Sequence, residues 1–128
     1  MKWVFKILVL SLLLQSFQCS DTEDLSSDIT SAQLETKKQE IQNYINSFIC
    51  SESTGCSYIA FGAKPCGGPW SYLVYSNTVN AVKLKEMVAD YNEMNRLYNI
   101  QTNAISDCMA ILPPKEVKCI NGVCTALY

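Results

Sequence analysis

Apolar positions change period several times along the chain, and each change predicts an element. Leu34, Ile41, Tyr44, Ile45 and Phe48 recur at helical spacing, while Lys37, Lys38 and Glu40 lie largely off that stripe. The pattern predicts an amphipathic helix over about Ser31–Ile49. Thr30 suits its N-cap, Gln33 completes a capping box, and Ile29 with Leu34 makes a hydrophobic staple. The runs Ser57–Gly62 (SYIAFG) and Trp70–Ser76 (WSYLVYS) are rich in aromatic and β-branched residues and predict two strands paired as a hairpin. A second helical stripe follows, of Leu84, Met87, Val88, Tyr91, Met94 and Tyr98. Asn80 caps it, with Val79 and Leu84 as a second staple, and it should end near Asn99. Asn92, Asn95 and Asn99 mark its wet face or supply side-chain hydrogen bonds to neighbouring loops.

The C-terminal part reads as β. Ile105–Leu112 predicts a strand stopped by Pro113-Pro114. The final run, EVKCI-NG-VCTALY, carries Asn121-Gly122, the strongest short hairpin signal, because a type I′ turn needs positive φ at both central residues. Cys119 and Cys124 then face each other at a non-hydrogen-bonded pair, where side chains approach closely. The expectation is an α+β fold: an antiparallel sheet of about five strands with two amphipathic helices, disulfide-stabilised, forming a single domain over residues 30–128.

The start of the chain has a different character. Met1–Lys6 carries Lys2 and Lys6, and Ile7–Leu14 is apolar apart from Ser11. That order predicts a secretory signal over residues 1–18, too short to span a bilayer. Cys19 stands just after it, where a bacterial lipoprotein would be acylated, although Ser16-Phe17-Gln18 departs from the usual lipobox. Lipidation at Cys19 is one expectation, and plain secretion with Cys19 discarded is the other. Residues 19–29 include Asp21, Glu23, Asp24 and Asp28 and read as an acidic, solvated tether.

Charge narrows the partners. The whole chain has ten basic and twelve acidic side chains, and loss of Lys2 and Lys6 leaves eight against twelve. No basic cluster remains, so nucleic acid is not an expected partner, because phosphate contacts dominate that affinity.

Of seven cysteines, the six beyond Cys19 are Cys50, Cys56, Cys66, Cys108, Cys119 and Cys124. An even number in a small exported domain predicts disulfides. The spacings offer no C-x-x-C and the chain has no histidine, so no metal is expected. Six cysteines leave fifteen pairings open. The favoured set is Cys50–Cys56, Cys66–Cys108 and Cys119–Cys124. Without histidine, a phosphate loop, a dinucleotide fingerprint or a nucleophile elbow, neither catalysis nor a cofactor is expected. Glu86, Asp90 and Glu93 sit at helical spacing and read as a solvated face.

The stretch GAKPCGGPWSYLVYS contains the candidate binding loop: Lys64, Pro65, Gly67, Gly68, Pro69 and Trp70, pinned at Cys66. In a structural reading the glycines and prolines set the turn and Trp70 anchors the next strand in the core. In a functional reading a rigid loop meets a partner, and Lys64 enters an acidic pocket as in a protease inhibitor; rigidity lowers the ordering cost of binding.

Gly62–Ser76, Tyr91-Asn92, Ser106-Asp107-Cys108, Pro113-Pro114 and the C-x-NG-x-C of Cys119–Cys124 together resemble a group of small exported bacterial cysteine-rich proteins, mostly uncharacterised. The resemblance covers more than half the chain. It implies export and a disulfide-held domain, and it brings no activity. The expected function is a non-enzymatic binding module of the cell envelope, at the outer membrane or cell surface, or else secreted or periplasmic. It would hold the membrane through a lipid anchor and take an unknown protein or glycan as partner. The alternatives are a purely structural envelope lipoprotein and a small thiol-redox or hydrolytic enzyme.

Overall fold

A computed structural model describes residues 28–128. The signal segment, Cys19 and most of the 19–29 tether lie outside the described residues. The described residues form two helices and two antiparallel hairpins: α1 (Ser31–Asn46), β1 (Cys56–Phe61), β2 (Ser71–Ser76), α2 (Ala81–Gln101), β3 (Glu116–Ile120) and β4 (Val123–Leu127).

α1 starts as its sequence dictates. Thr30 Oγ1 accepts from the Gln33 amide at 3.2 Å, and Gln33 Oε1 accepts from the Thr30 amide at 2.7 Å, closing the capping box. The helix stops at Asn46, three residues short of the expected end. Ser47 caps it, with its hydroxyl donating to the Tyr44 carbonyl, and the chain turns so that Cys50 reaches the second hairpin. Leu34, Ile41 and Ile45 are the buried face. Asn80 caps α2 by accepting from the Val82 and Lys83 amides, and α2 runs on past Asn99 to Gln101. There the Gln101 side-chain amide donates to the Ile29 carbonyl and accepts from the Ile29 amide, fixing where the chain enters the fold.

β1 and β2 pair with Ile59 opposite Leu73 and Tyr58 opposite Val74. One face of this hairpin meets the helices. Phe61 and Tyr75 join Ile41, Ile45, Val79, Leu84 and Val88 in the core, with Ile59, Leu73, Met87 and Tyr91 packed against it. Phe61 and Tyr91 stack, ring centroids 4.2 Å apart. β3 and β4 pair around Asn121 and Gly122, both at positive φ (52° and 80°), as the type I′ turn requires.

Three expectations need correction. The strands form two separate two-stranded sheets, not one sheet of five. β4 lies near β2 and β3 near β1, but no ladder joins the sheets. Ile105–Leu112 is not a strand. Its apolar residues are not buried against a sheet face: Ile105, Met109 and Leu112 stand 93%, 72% and 74% exposed. The segment is held at points, by Cys108 and by a contact of Met109, with no ladder. Finally, the disulfides are Cys50–Cys119, Cys56–Cys124 and Cys66–Cys108. Only the third matches the favoured set. The two others replace a ladder between the sheets: Cys119 and Cys124 face each other as expected, yet each reaches out to a different segment instead of to its neighbour.

Among the described residues no helix is long and apolar enough to cross a membrane.

Candidate functional site

The loop between β1 and β2 is built from the backbone outward. Gly62 turns the chain at φ +82°, and Gly67 and Gly68 turn it again at +93° and +81°, a region that penalises residues with a Cβ. The Gly67 amide donates to the Lys64 carbonyl, and the Lys64 amide donates to the Gly68 carbonyl, both at 2.9 Å. Cys66–Cys108 pins the tip.

Three asparagines of α2 brace the loop from behind. Asn92 Oδ1 accepts from the Gly62 amide at 2.7 Å, and Asn95 Oδ1 accepts from the Ala63 amide at 2.8 Å. Asn99 Nδ2 donates to the Ala63 carbonyl at 2.7 Å. Positions 92, 95 and 99 share one helix face, so a straight row of side chains meets a bent backbone. Of the two sequence expectations for these asparagines, the structure shows the hydrogen bonds to a neighbouring loop.

Lys64 points inward. Its residue is 6% exposed; its ammonium donates to Asp107 Oδ1 and, at 2.9 Å, to the Met109 carbonyl, and lies 5.2 Å from the centre of the Trp70 ring. The expectation that Lys64 enters a partner's pocket is corrected, because its charge is spent inside the fold. Pro65, Gly67 and Gly68 are exposed at the loop tip, and Pro69 is half-buried. The Lys64–Asp107 pair spans 43 residues, and no sequence signal announced it.

Trp70 is corrected too. It is 45% exposed, not a core anchor. Its amide donates to the Phe61 carbonyl at 3.0 Å, which extends the hairpin by one residue. A Cβ at Gly62 would stand 2.8 Å from Trp70 Cδ1, so the indole lies directly over the glycine. Alternation places Trp70, Tyr72, Tyr58 and Ala60 on the face of β1–β2 opposite the core. Tyr58 is 43% exposed and meets Tyr72 edge-on, centroids 5.6 Å apart. Tyr75, on the other face, is buried. Neither β1 nor β2 carries a charged residue. The result is an aromatic, electroneutral row mounted on a disulfide-pinned base, suited to stacking and apolar contact.

Behind the loop a cleft of 460 Å³ is lined by Lys64, Pro65, Arg96, Asn99, Ile100 and Asn103, among others. Both cations on it already hold carboxylates. Arg96 donates two hydrogen bonds to Glu93, which hold the Glu93 carboxyl below its usual range and raise the guanidinium above its own. Glu86 and Asp90 are exposed on α2, and Asp107 is committed to Lys64. Cys19 lies outside the described residues. Comparison with protein families, with characterised proteins and with solved structures finds no match.

Proposed function

We propose that the chain is an exported, surface-anchored, non-enzymatic binding module of the cell envelope, and that Trp70, Tyr72 and Tyr58 form its docking face for a protein or glycan. Three disulfides suit a chain that folds in an oxidising compartment. The observation that carries the reading is Trp70: a large aromatic held 45% exposed over a braced glycine, beside a second exposed aromatic. Tyr and Trp are the residues that dominate binding hot spots, and a rigid base lowers the ordering cost. Export, the acyl anchor at Cys19 and kinship with small exported bacterial cysteine-rich proteins belong to the same proposal.

Trp70 is the one tryptophan downstream of the signal segment, so its fluorescence reports on the face directly. The mature protein is titrated with solubilised peptidoglycan fragments and with purified surface polysaccharide, and a photo-crosslinker at Tyr58 traps protein partners on intact cells. A saturable spectral change or a single cross-linked partner, abolished by Tyr72→Ala in a folded variant, is expected. No saturable change and no cross-link specific to the folded face would overturn the docking face. The anchor is checked separately by the intact mass of protein taken from its membrane: an acylated Cys19 supports it, and a chain beginning after Cys19 removes it.

The burial of Lys64 favours a second reading, in which the loop only braces the fold and the chain is a structural envelope lipoprotein. Under that reading Tyr72→Ala changes nothing but stability.

A further inference from the structure

Three cysteine sulfurs from separate stretches meet where the two hairpins abut. The Sγ atoms of Cys50, Cys56 and Cys124 all lie within 4.8 Å of one another. Cys119 joins them through its bond to Cys50. Register explains the convergence. Cys119 and Cys124 are cross-strand partners and leave the same face of the β3–β4 hairpin. Cys56 opens β1, and Cys50 is set in place by its amide, which donates to the Gly122 carbonyl at 3.1 Å. Cys50, Cys56 and Cys124 therefore each have a sulfur of the other disulfide within reach.

We propose that this cluster is a redox-gated metal site: with both bonds reduced, Cys50, Cys56, Cys119 and Cys124 hold one Zn²⁺ in a tetrahedral shell of four thiolates. Zinc–sulfur bonds of about 2.3 Å put neighbouring sulfurs about 3.8 Å apart. The Cys50 sulfur lies within about 1 Å of that spacing from those of Cys56 and Cys124, while the two bonded pairs must open and Cys119 must swing in. The absence of C-x-x-C argued against zinc from the sequence, but the fold supplies two close pairs. Cys119 and Cys124 have four residues between them across a tight turn, within the range zinc sites use, and Cys50 and Cys56 have five between them across a loop.

The surroundings suit both reduction and metal entry. A cleft of 330 Å³ lined by Ser51, Glu52, Cys56, Lys118 and Cys119, among others, borders one cysteine of each bond. The charge around the cleft is mixed: Glu52 lines it, and Lys118 is paired with Glu116 at 3.1 Å. Cys50 is buried and the other three are half-buried, so the shell is shielded yet reachable. Cys66–Cys108 stands outside the cluster.

The chemistry balances with a dithiol as reductant. Each disulfide takes two electrons and two protons from one dithiol, which leaves as its own disulfide. Two dithiols thus yield four thiols. Zinc binding converts these to thiolates and releases four protons. Exchange with two external disulfides re-forms both bonds, returns two dithiols and expels the metal.

The test uses the mature chain, reduced with a water-soluble phosphine under argon and titrated with Zn²⁺ and with Co²⁺. The expected result is one ion per reduced chain and none per oxidised chain, with thiolate-to-cobalt charge transfer and a tetrahedral cobalt spectrum. Cys124→Ser and Cys56→Ser should each weaken binding at least about tenfold, since even outer-shell changes around a metal cost that much. The double variant Cys66→Ser/Cys108→Ser should keep the full stoichiometry. If reduction unfolds the chain, circular dichroism follows the same titration, and recovery at one equivalent of Zn²⁺ supports the site. No uptake and no recovery, or equal binding by the Cys124→Ser and Cys56→Ser variants, overturns it.

Discussion

Lys64 and Asp107 form an ion pair buried on one side only: the lysine side chain is 3% exposed and the aspartate 64%. The two ends therefore differ in what their loss leaves behind. Asp107→Ala strands a buried ammonium with the Met109 carbonyl as its remaining oxygen partner, and should cost about 2–3 kcal/mol, the scale of a hydrogen bond to a charged group. Lys64→Met keeps the apolar stem, removes the buried charge and returns Asp107 to water. Its cost should be about 1 kcal/mol or less, since apolar replacement of a buried charge is often neutral. Denaturant midpoints of the two variants give the comparison. A Lys64→Met protein as unstable as Asp107→Ala would mean that the pair itself, not the stranded charge, sets the energy.

Gly62 and Trp70 make a second testable pair. Gly62→Ala meets both a left-handed φ and the indole at 2.8 Å, whereas Gly67→Ala meets the φ alone, because nothing lies within 4 Å of its Cβ position. Gly67→Ala should cost about 1–2 kcal/mol, the left-handed penalty, and Gly62→Ala clearly more. In a Trp70→Ala background the Gly62→Ala cost should fall towards the Gly67→Ala value, a coupling that a double-mutant cycle reads directly. Trp70→Ala by itself should cost less than the roughly 3–5 kcal/mol of a core tryptophan. Additive Gly62 and Trp70 costs would show that the ring moves aside.

What the sequence reveals divides by distance along the chain. The capping box at Thr30 and Gln33, the Asn80 cap, both helical stripes and the Asn121-Gly122 turn are local, and the residues that specify them are neighbours. Three features depend on segments tens of residues apart. The Lys64 charge reads as a ligand-facing lysine because its partner, Asp107, lies 43 residues away. Trp70 reads as core because aromatic strands usually bury their aromatics, but alternation sends Trp70 and Tyr75 to opposite faces. Ile105–Leu112 reads as a strand because its composition is apolar, and composition does not reveal that the segment joins no ladder. The asparagines are an intermediate case. Their shared helix face was visible, and only the bent backbone at Gly62–Ala63 gave them a purpose.

The disulfides carry the same lesson into energetics. Opposition of Cys119 and Cys124 was legible, and it suggested a bond between them. A bond there would close a loop of only a few residues. The observed bonds, Cys50–Cys119 and Cys56–Cys124, close loops with separations of 69 and 68 residues. By loop-closure entropy, each should contribute about 4 kcal/mol by itself, against about 2 kcal/mol for the local hairpin bond. Peptide mapping of the unreduced protein should recover the Cys50–Cys119 and Cys56–Cys124 peptides. Cys50→Ser/Cys119→Ser should lower stability by several kcal/mol. Recovery of Cys50–Cys56 and Cys119–Cys124 peptides would reverse this assignment.

Tyr91 links the core to alkaline pH. Burial raises its phenol pKa above the ordinary 10.0, and the Glu35 carboxylate adds to the rise. The folded chain thus holds the phenolic proton more tightly than the unfolded chain does. The stability this contributes is fully present below pH 10.0 and is lost as pH climbs through the raised folded value. Tyr91→Phe keeps the stack on Phe61 and removes the proton. At neutral pH the variant should cost about 1 kcal/mol or less, since the ring is kept and only one hydroxyl is removed. Above pH 10 the parent should lose stability more steeply than the variant, and phenolate absorbance should show a late-titrating component that Tyr91→Phe deletes. Glu35→Gln should bring that late titration earlier, though not to the ordinary value, because burial is the larger cause. Identical alkaline slopes for parent and Tyr91→Phe would show that Tyr91 ionises as freely in the folded chain as in the unfolded one.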